Sequence, residues 1–192
     1  MKQVIVIAGP SGSGKNAVIT EIMKQYHNGA RLVTATTRRM RPSEQDGIDY
    51  HFLSQEDFDE ALASGQIPEH RYVPALKTYY GIYLPDLEKG LAEEKIVFAQ
   101  VDIEGAKLLK ERYDATTIFI MPESLEQFRG RLRARNPEWS PKELEARMKI
   151  TEKEIRVHSP QYDYRVVNAD GKLDETTRDV MEIMKKEGYN LE

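Results

Sequence analysis

The stretch Val4-Ile5-Val6-Ile7-Ala8-Gly9-Pro10-Ser11-Gly12-Ser13-Gly14-Lys15-Asn16-Ala17-Val18-Ile19 decides the fold. Its first five residues form an unbroken apolar run, the pattern of a strand buried on both faces of a parallel sheet. Over residues 15–26, Val18, Ile19, Ile22 and Met23 recur at helical spacing and predict an amphipathic helix. Between the two, Gly9-Pro10-Ser11-Gly12-Ser13-Gly14-Lys15 fits the pattern G-x-x-x-x-G-K. Its glycines permit a tight turn whose backbone N–H groups converge on a phosphate at the helix N-terminus. Lys15 would reach the outer phosphates as a point charge. A plain strand-to-helix turn is also rich in small residues, but it does not require a lysine between a buried strand and an amphipathic helix.

Outward from this loop, a second short strand is expected over 31–36. From residue 37 to about 83, arginines, Pro42, Asp46-Gly47 and several tyrosines interrupt the alternation of strands and helices. Within that stretch Ser54-Gln55-Glu56-Asp57 predicts a capping box and a helix that closes at Gly65. The alternation resumes with a strand over 95–101, a helix over 103–112 and a strand over 116–121. Ser124 caps an arginine-rich helix that breaks at 136–140. Ser140-Pro141-Lys142-Glu143 is a strong start signal for the next helix. A strand over 164–168 and a helix over 174–186, stopped by Gly188, complete the pattern. Strands alternating with helices predict an α/β fold with a parallel central sheet covered on both faces. The expected organisation is one domain: a core over 1–36, 84–135 and 158–192, an insertion over 37–83 and a lid over 136–157.

Composition excludes several function classes. No apolar run approaches the ~18 residues of a membrane span, and the opening run leads straight into the glycine loop, which reads as a core strand and not a signal peptide. A cytoplasmic protein without a membrane partner is expected. The chain has no cysteine, so disulfides and thiolate metal sites are excluded. His27, His51, His70 and His158 are scattered and do not suggest zinc. A net charge of −4 argues against nucleic-acid binding. Anion recognition must then come from local arginine clusters, which points to a small ligand.

Thr34-Ala35-Thr36-Thr37-Arg38-Arg39-Met40-Arg41-Pro42, followed by Asp46-Gly47-Ile48-Asp49-Tyr50-His51-Phe52, resembles the guanylate kinase family. There the run reads approximately Thr-Thr-Arg-x-x-Arg-Pro-Gly-Glu, then Asp-Gly-x-Asp-Tyr-x-Phe. The resemblance continues in order through Glu69, Tyr79-Tyr80-Gly81, Asp102 with Gly105, Arg131-Leu132-x-x-Arg135, Arg147 and Val167-Asn168. It implies a P-loop NTPase fold in three α/β/α layers, with an inserted nucleoside-monophosphate subdomain and a helical lid. The implied activity is Mg-assisted phosphoryl transfer from ATP to GMP or dGMP, with a homodimer allowed.

By this resemblance Gly9, Pro10, Ser11, Gly12, Ser13, Gly14, Lys15, Asn16, Ala17 and Arg131 would bind ATP. Thr34, Arg38, Arg41, Tyr50, Glu69, Tyr80 and Asp102 would hold the acceptor, and Lys15, Arg38, Arg135 and Arg147 would carry the transfer. Residue chemistry agrees, because a monophosphate dianion favours guanidinium forks and hydroxyl contacts. Glu69 would accept from the guanine N1–H and N2 amino group, with Thr34 near O6 and Asp102 as a further acidic contact. Arg39 is expected in solvent. For Arg131, Arg135 and Arg147 the competing reading is salt bridging to Glu126, Glu143 and Glu145 on helix surfaces.

Four features depart from the family pattern. Asn16 stands where Ser or Thr normally places a hydroxyl on Mg; an amide oxygen can also ligate Mg or hold one of its waters. Ile82 replaces a Ser or Thr, and Gln100 replaces a common aspartate. The lid segment Asn136-Pro137-Glu138-Trp139-Ser140-Pro141 is unlike the family's, and Trp139 is read as a packing anchor. These departures leave two alternatives: a kinase for another nucleotide or a sugar phosphate, and a non-catalytic module that binds phosphorylated peptides. The intact loop and lid arginines favour catalysis.

Overall fold

Strand β1 (Val4–Ala8) is buried along its whole length and divides the core in two. Ile5 and Ile7 face one side, where they meet Val18, Ile19 and Ile22 of α1 (Lys15–Gln25) and Val180 and Met184 of α7 (Leu173–Lys186). Val4, Val6 and Ala8 face the other, against Leu87 of α3 (Leu84–Ala92) and Ala106 and Leu109 of α4 (Ile103–Tyr113). Period-2 alternation in an all-apolar strand thus builds the expected three layers. The structure is a computed structural model that describes residues 1–74 and 76–191. Ala75, in the expected insertion, and Glu192, at the end of the expected core, lie outside the described residues.

The central sheet has the order β2-β7-β1-β8-β9, with β2 (Gly29–Arg31), β7 (Ile96–Ala99), β8 (Thr116–Pro122) and β9 (Tyr164–Asn168). All its pairings are parallel. The C-terminal ends of the strands therefore share one edge, and in open α/β sheets that edge holds the ligand crevice. The loop after β1 lies there, between the ends of β7 and β8.

A second sheet, β4-β3-β6-β5, is formed by β3 (Ala35–Thr36), β4 (His51–Phe52), β5 (His70–Val73) and β6 (Thr78–Gly81). It has its own small core, in which Phe58 and Ala61 of α2 (Gln55–Ala63) pack with Ala35 and Ile67. The single strand expected over 31–36 is instead two strands in different sheets. Leu32 is buried in the α3/α4 layer, and the Val33 N–H donates to the Asp86 carboxylate at 2.9 Å, so the chain leaves one ladder before joining the other. Ser54 caps α2 as expected by accepting from the Asp57 N–H, and Gly65 turns at φ +78°. The reciprocal half of that capping box is replaced by a bond from the Ser54 hydroxyl to the Asp57 carboxylate.

Helix α3 was not expected from the sequence, although Pro85 at its start and the Leu84, Leu87, Leu91 spacing were there to mark it. Helix α5 (Leu125–Arg135) ends where the expected lid begins, and α6 (Pro141–Lys153) lies within it, opened by a complete capping box between Ser140 and Glu143. Trp139 packs on Phe128, Leu132, Leu144 and Met148, as a packing anchor should. Beyond α6 comes an unexpected turn of π-helix at Glu154–His158.

Candidate active site

The loop after β1 is made by backbone conformation. Gly9, Gly12 and Gly14 hold φ of +141°, +100° and +94°, which side-chain-bearing residues rarely adopt. Space is also denied: a Cβ on Gly9 would sit 2.4 Å from the Ile120 carbonyl oxygen, and one on Gly14 would sit 2.1 Å from Asn168 Nδ2. Asn168, at the end of β9, braces the loop by donating to the Ser13 carbonyl at 2.8 Å, while its Oδ1 accepts from the Thr176 hydroxyl at 3.2 Å.

Lys15 Nζ donates to the Gly9 and Pro10 carbonyls at 2.7 and 3.0 Å. Burial pushes its ammonium down to about 8; Glu154 opposes that shift, and Arg147 and Arg135 add to it. The charges of Arg135 and Arg147 thus reach the loop lysine. Among the described residues neither Arg135 nor Arg147 forms an ion pair. Two of the three carboxylates that competed for them are otherwise engaged: Glu145 binds Arg129, and Glu143 closes the helix cap. Arg131 is different, bonding to Asp170 at 2.5 Å and to the Asn168 carbonyl at 2.8 Å. It ties α5 to the end of β9 beside the loop.

Glu154 carries no sequence signal, being one more glutamate in a charged stretch. The π-turn after the lid helix buries its Oε2 without a hydrogen-bond partner among the described residues. Such turns often occur at functional positions.

On the opposite wall of the crevice, Thr34, Tyr50, Glu69, Tyr80 and Asp102 line one cavity of about 240 Å³, together with Arg71, Ile82 and Gln100. Arg38 lies beside it, its guanidinium 5.4 Å from the Tyr50 ring centroid. Its fork binds both oxygens of Glu44, at 2.7 and 3.0 Å, and Glu44 also accepts from the Arg41 N–H at 2.9 Å. Glu44 thus fixes the Arg38 fork and the turn carrying Arg41. It was not singled out from the sequence, although it ends the arginine run. Arg41 and Arg39 are exposed; the charge of Arg41 reaches Tyr50, whose phenol burial pushes up overall.

Glu69 is the electrostatic outlier of this pocket. Burial, then the charges of Asp102 and Glu104, push its carboxyl up to about 7, with Arg71 partly offsetting them. Asp102 accepts from the Glu104 and Gly105 N–H groups at 3.2 Å each, capping α4, and lies 3.8 Å from Arg71. Arg71 is a pocket cation that no motif marks. Ile82 is 1% exposed and belongs to the α3/α4 core. Gly105 makes room for it, since a Cβ there would sit 3.1 Å from Ile82 Cδ1.

A wider cavity of about 550 Å³ lies between the end of β8 and the base of the lid, around Met121, Ser124, Lys149 and Lys153. It contains none of the residues expected at the site, although Lys149, Lys153 and Arg156 give it a basic lining. Among the described residues no His, Cys, Asp and Glu cluster could cage a metal ion, and no helix is long and apolar enough to cross a membrane.

Known proteins resemble this chain in sequence and fold. The guanylate kinase family model matches residues 1–187. A guanylate kinase of Lactococcus lactis is 36% identical over 190 residues, covering 98% of this chain and 90% of that protein. One of Clostridium perfringens is 40% identical over 166 residues, covering 86% of this chain and 75% of that protein. The crystal structure of guanylate kinase from Anaplasma phagocytophilum superposes with a TM-score of 0.71 at 28% identity, covering 98% of this chain and 87% of that one.

Proposed function

The chain belongs to the guanylate kinase family, and from that membership we propose that it transfers the γ-phosphoryl group of ATP to GMP, and to dGMP, giving the diphosphate. It is an enzyme, a nucleoside monophosphate kinase. The observation that carries the substrate reading is contact between the two cradles. Asn16, next to the loop lysine, accepts a hydrogen bond at 2.6 Å from Gln100, which lines the acceptor cavity. Phosphates held by the loop and by the cavity would therefore face each other within one crevice.

Phosphoryl transfer asks the protein for alignment and charge neutralisation more than for covalent chemistry. In our reading the loop amides and Lys15 hold the donor phosphates. Arg38, Arg41, Tyr50 and Tyr80 hold the acceptor phosphate, and Glu44 keeps the Arg38 fork in one orientation. Glu69, as carboxylate, accepts from guanine N1–H and N2; adenine lacks that donor pair. Thr34 and Asp102 border the same cavity. Arg135 and Arg147 approach the transferring group from the lid, and Arg131 steadies α5. Lid closure would exclude water and protect ATP from hydrolysis.

Mg²⁺ suits the donor set in a limited way. Asn16 Oδ1 already accepts from Gln100 and keeps one lone pair that would hold the ion or one of its waters. Among the described residues no acidic cage is available, so the cation would arrive on nucleotide phosphates. Bound there, Mg²⁺ would neutralise charge on the β- and γ-oxygens.

A coupled ATP-to-ADP assay over GMP, dGMP, AMP, UMP and ribose phosphates tests the proposal. GMP is expected to give the highest kcat/KM; turnover of other acceptors but not GMP would overturn it. No turnover of any acceptor, with phosphopeptide binding, would mark a non-catalytic module.

A further inference from the structure

Phosphate-loop enzymes commonly hold Mg²⁺ through a Ser or Thr hydroxyl directly after the loop lysine and an aspartate from a neighbouring strand. Here those two places carry Asn16, which follows Lys15, and Gln100, which follows β7, the strand paired with β1. Both are neutral amides, and they bond to each other, Gln100 Nε2 donating to Asn16 Oδ1 at 2.6 Å. The two substitutions thus form one structural unit.

The charges around this pair lie elsewhere or have the opposite sign. Lys15 precedes Asn16 in the chain. Arg31 donates to the Asn16 backbone carbonyl at 3.2 Å and to the Thr20 hydroxyl at 2.7 Å. Asp102, two residues beyond Gln100, is turned to the start of α4 and to Arg71. Glu154 faces the lysine from the base of the lid. No carboxylate hydrogen-bonds to either amide among the described residues.

We propose that Asn16 and Gln100 form an uncharged latch across the cation position, so that the protein binds ATP and ADP almost equally well with and without Mg²⁺. The proposal rests on reading the loop as the ATP site. A carboxylate at position 100 would repel a bare polyphosphate and attract its Mg²⁺ complex, making binding metal-dependent. A unit charge a few ångströms away in a partly screened cleft shifts such equilibria by about tenfold or more. The amide pair removes both the repulsion and the attraction.

The test is titration calorimetry with ADP and a non-hydrolysable ATP analogue, each in saturating Mg²⁺ and in EDTA. For wild-type protein the two dissociation constants are expected to agree within about threefold. Gln100→Asp should weaken binding in EDTA and widen the ratio by about tenfold or more. Gln100→Leu, which breaks the hydrogen bond without adding charge, should keep the wild-type ratio. Thermal melts report whether each variant is folded, and Asn16→Asp supplies the same charge from the exposed partner should Gln100→Asp not fold. A wild-type ratio already near tenfold, or a ratio that the added carboxylate leaves unchanged, overturns the proposal. Absence of nucleotide binding in either condition would instead refute the ATP-site reading itself.

Discussion

In the proposed function the donor loop and the acceptor pocket bind the same chemical group with different materials. The loop is one consecutive run, its binding groups are backbone amides, and its shape is set by glycine conformations that admit no Cβ. The pocket is made of side chains that arrive from positions as far apart as Thr34 and Asp102, and ion pairs, caps and rings hold them. A site built of backbone has little room to vary. One built of side chains can change its chemistry at single positions, as Ile82 and Gln100 illustrate. Binding of the donor should therefore be conformationally brittle, and recognition of the acceptor chemically tunable.

The strongest way to break this contrast is Gly14→Ala. The new methyl meets Asn168 Nδ2, and the position requires φ +94°. Backbone strain and loss of the buried Asn168 brace together should cost about 2–4 kcal/mol of stability and weaken ATP-analogue binding by about 10²-fold. Denaturant melts and nucleotide titration check both numbers. Ser11→Ala, on an exposed loop residue, should change stability by no more than about 0.5 kcal/mol. Equal effects from the two would mean that the loop is not held by its backbone.

Next in size is Glu69→Gln, which should touch only the acceptor. The amide offers guanine one acceptor and one donor where two acceptors are wanted. GMP kcat/KM should fall by about 10²-fold with the KM for ATP unchanged. The wild-type pH profile sharpens this. A carboxyl raised to about 7 binds its proton as the pH falls below 7 and then loses its acceptor character. The KM for GMP should thus rise towards tenfold per pH unit on the acid side and level off above pH 8. In Glu69→Gln that limb should disappear; its persistence would assign the titration to another group.

The same contrast governs what the sequence disclosed. β1, the glycine loop and α1 are contiguous, so one stretch contains both the pattern and its physical cause, and the parallel sheet follows from repeating that alternation. Arg38, Arg41, Tyr50 and Tyr80 were named through motif order, and Tyr50 and Tyr80 line one cavity. Arg71 was not singled out, because its role exists only once β5 brings it to Asp102. Glu44 was passed over although the family pattern ends in a glutamate there, because its partner Arg38 is set by the turn. The second sheet was hidden for a similar reason: strands as short as Ala35–Thr36 and His51–Phe52 have no periodicity to read. Glu154 depends on a π-turn that no local pattern announced.

The smallest effect tests the donor side without any mutation. Burial pushes the Lys15 ammonium down to about 8, so near that pH a sizeable fraction of free protein carries a neutral amine. A polyphosphate arriving at the loop favours the charged form and raises the pKa again. Nucleotide binding at pH 8 should therefore take up roughly half a proton, and uptake should fade towards pH 6.5, where the lysine is already protonated in the free protein. Calorimetry in two buffers of different ionisation enthalpy measures this directly, since the apparent binding enthalpies differ in proportion to the protons taken up. Acceptor binding in the absence of donor should show no such uptake at pH 8, because Glu69 is by then mostly ionised. Proton release on nucleotide binding, or uptake that grows at lower pH, would mean that the loop lysine is not the group answering the phosphates.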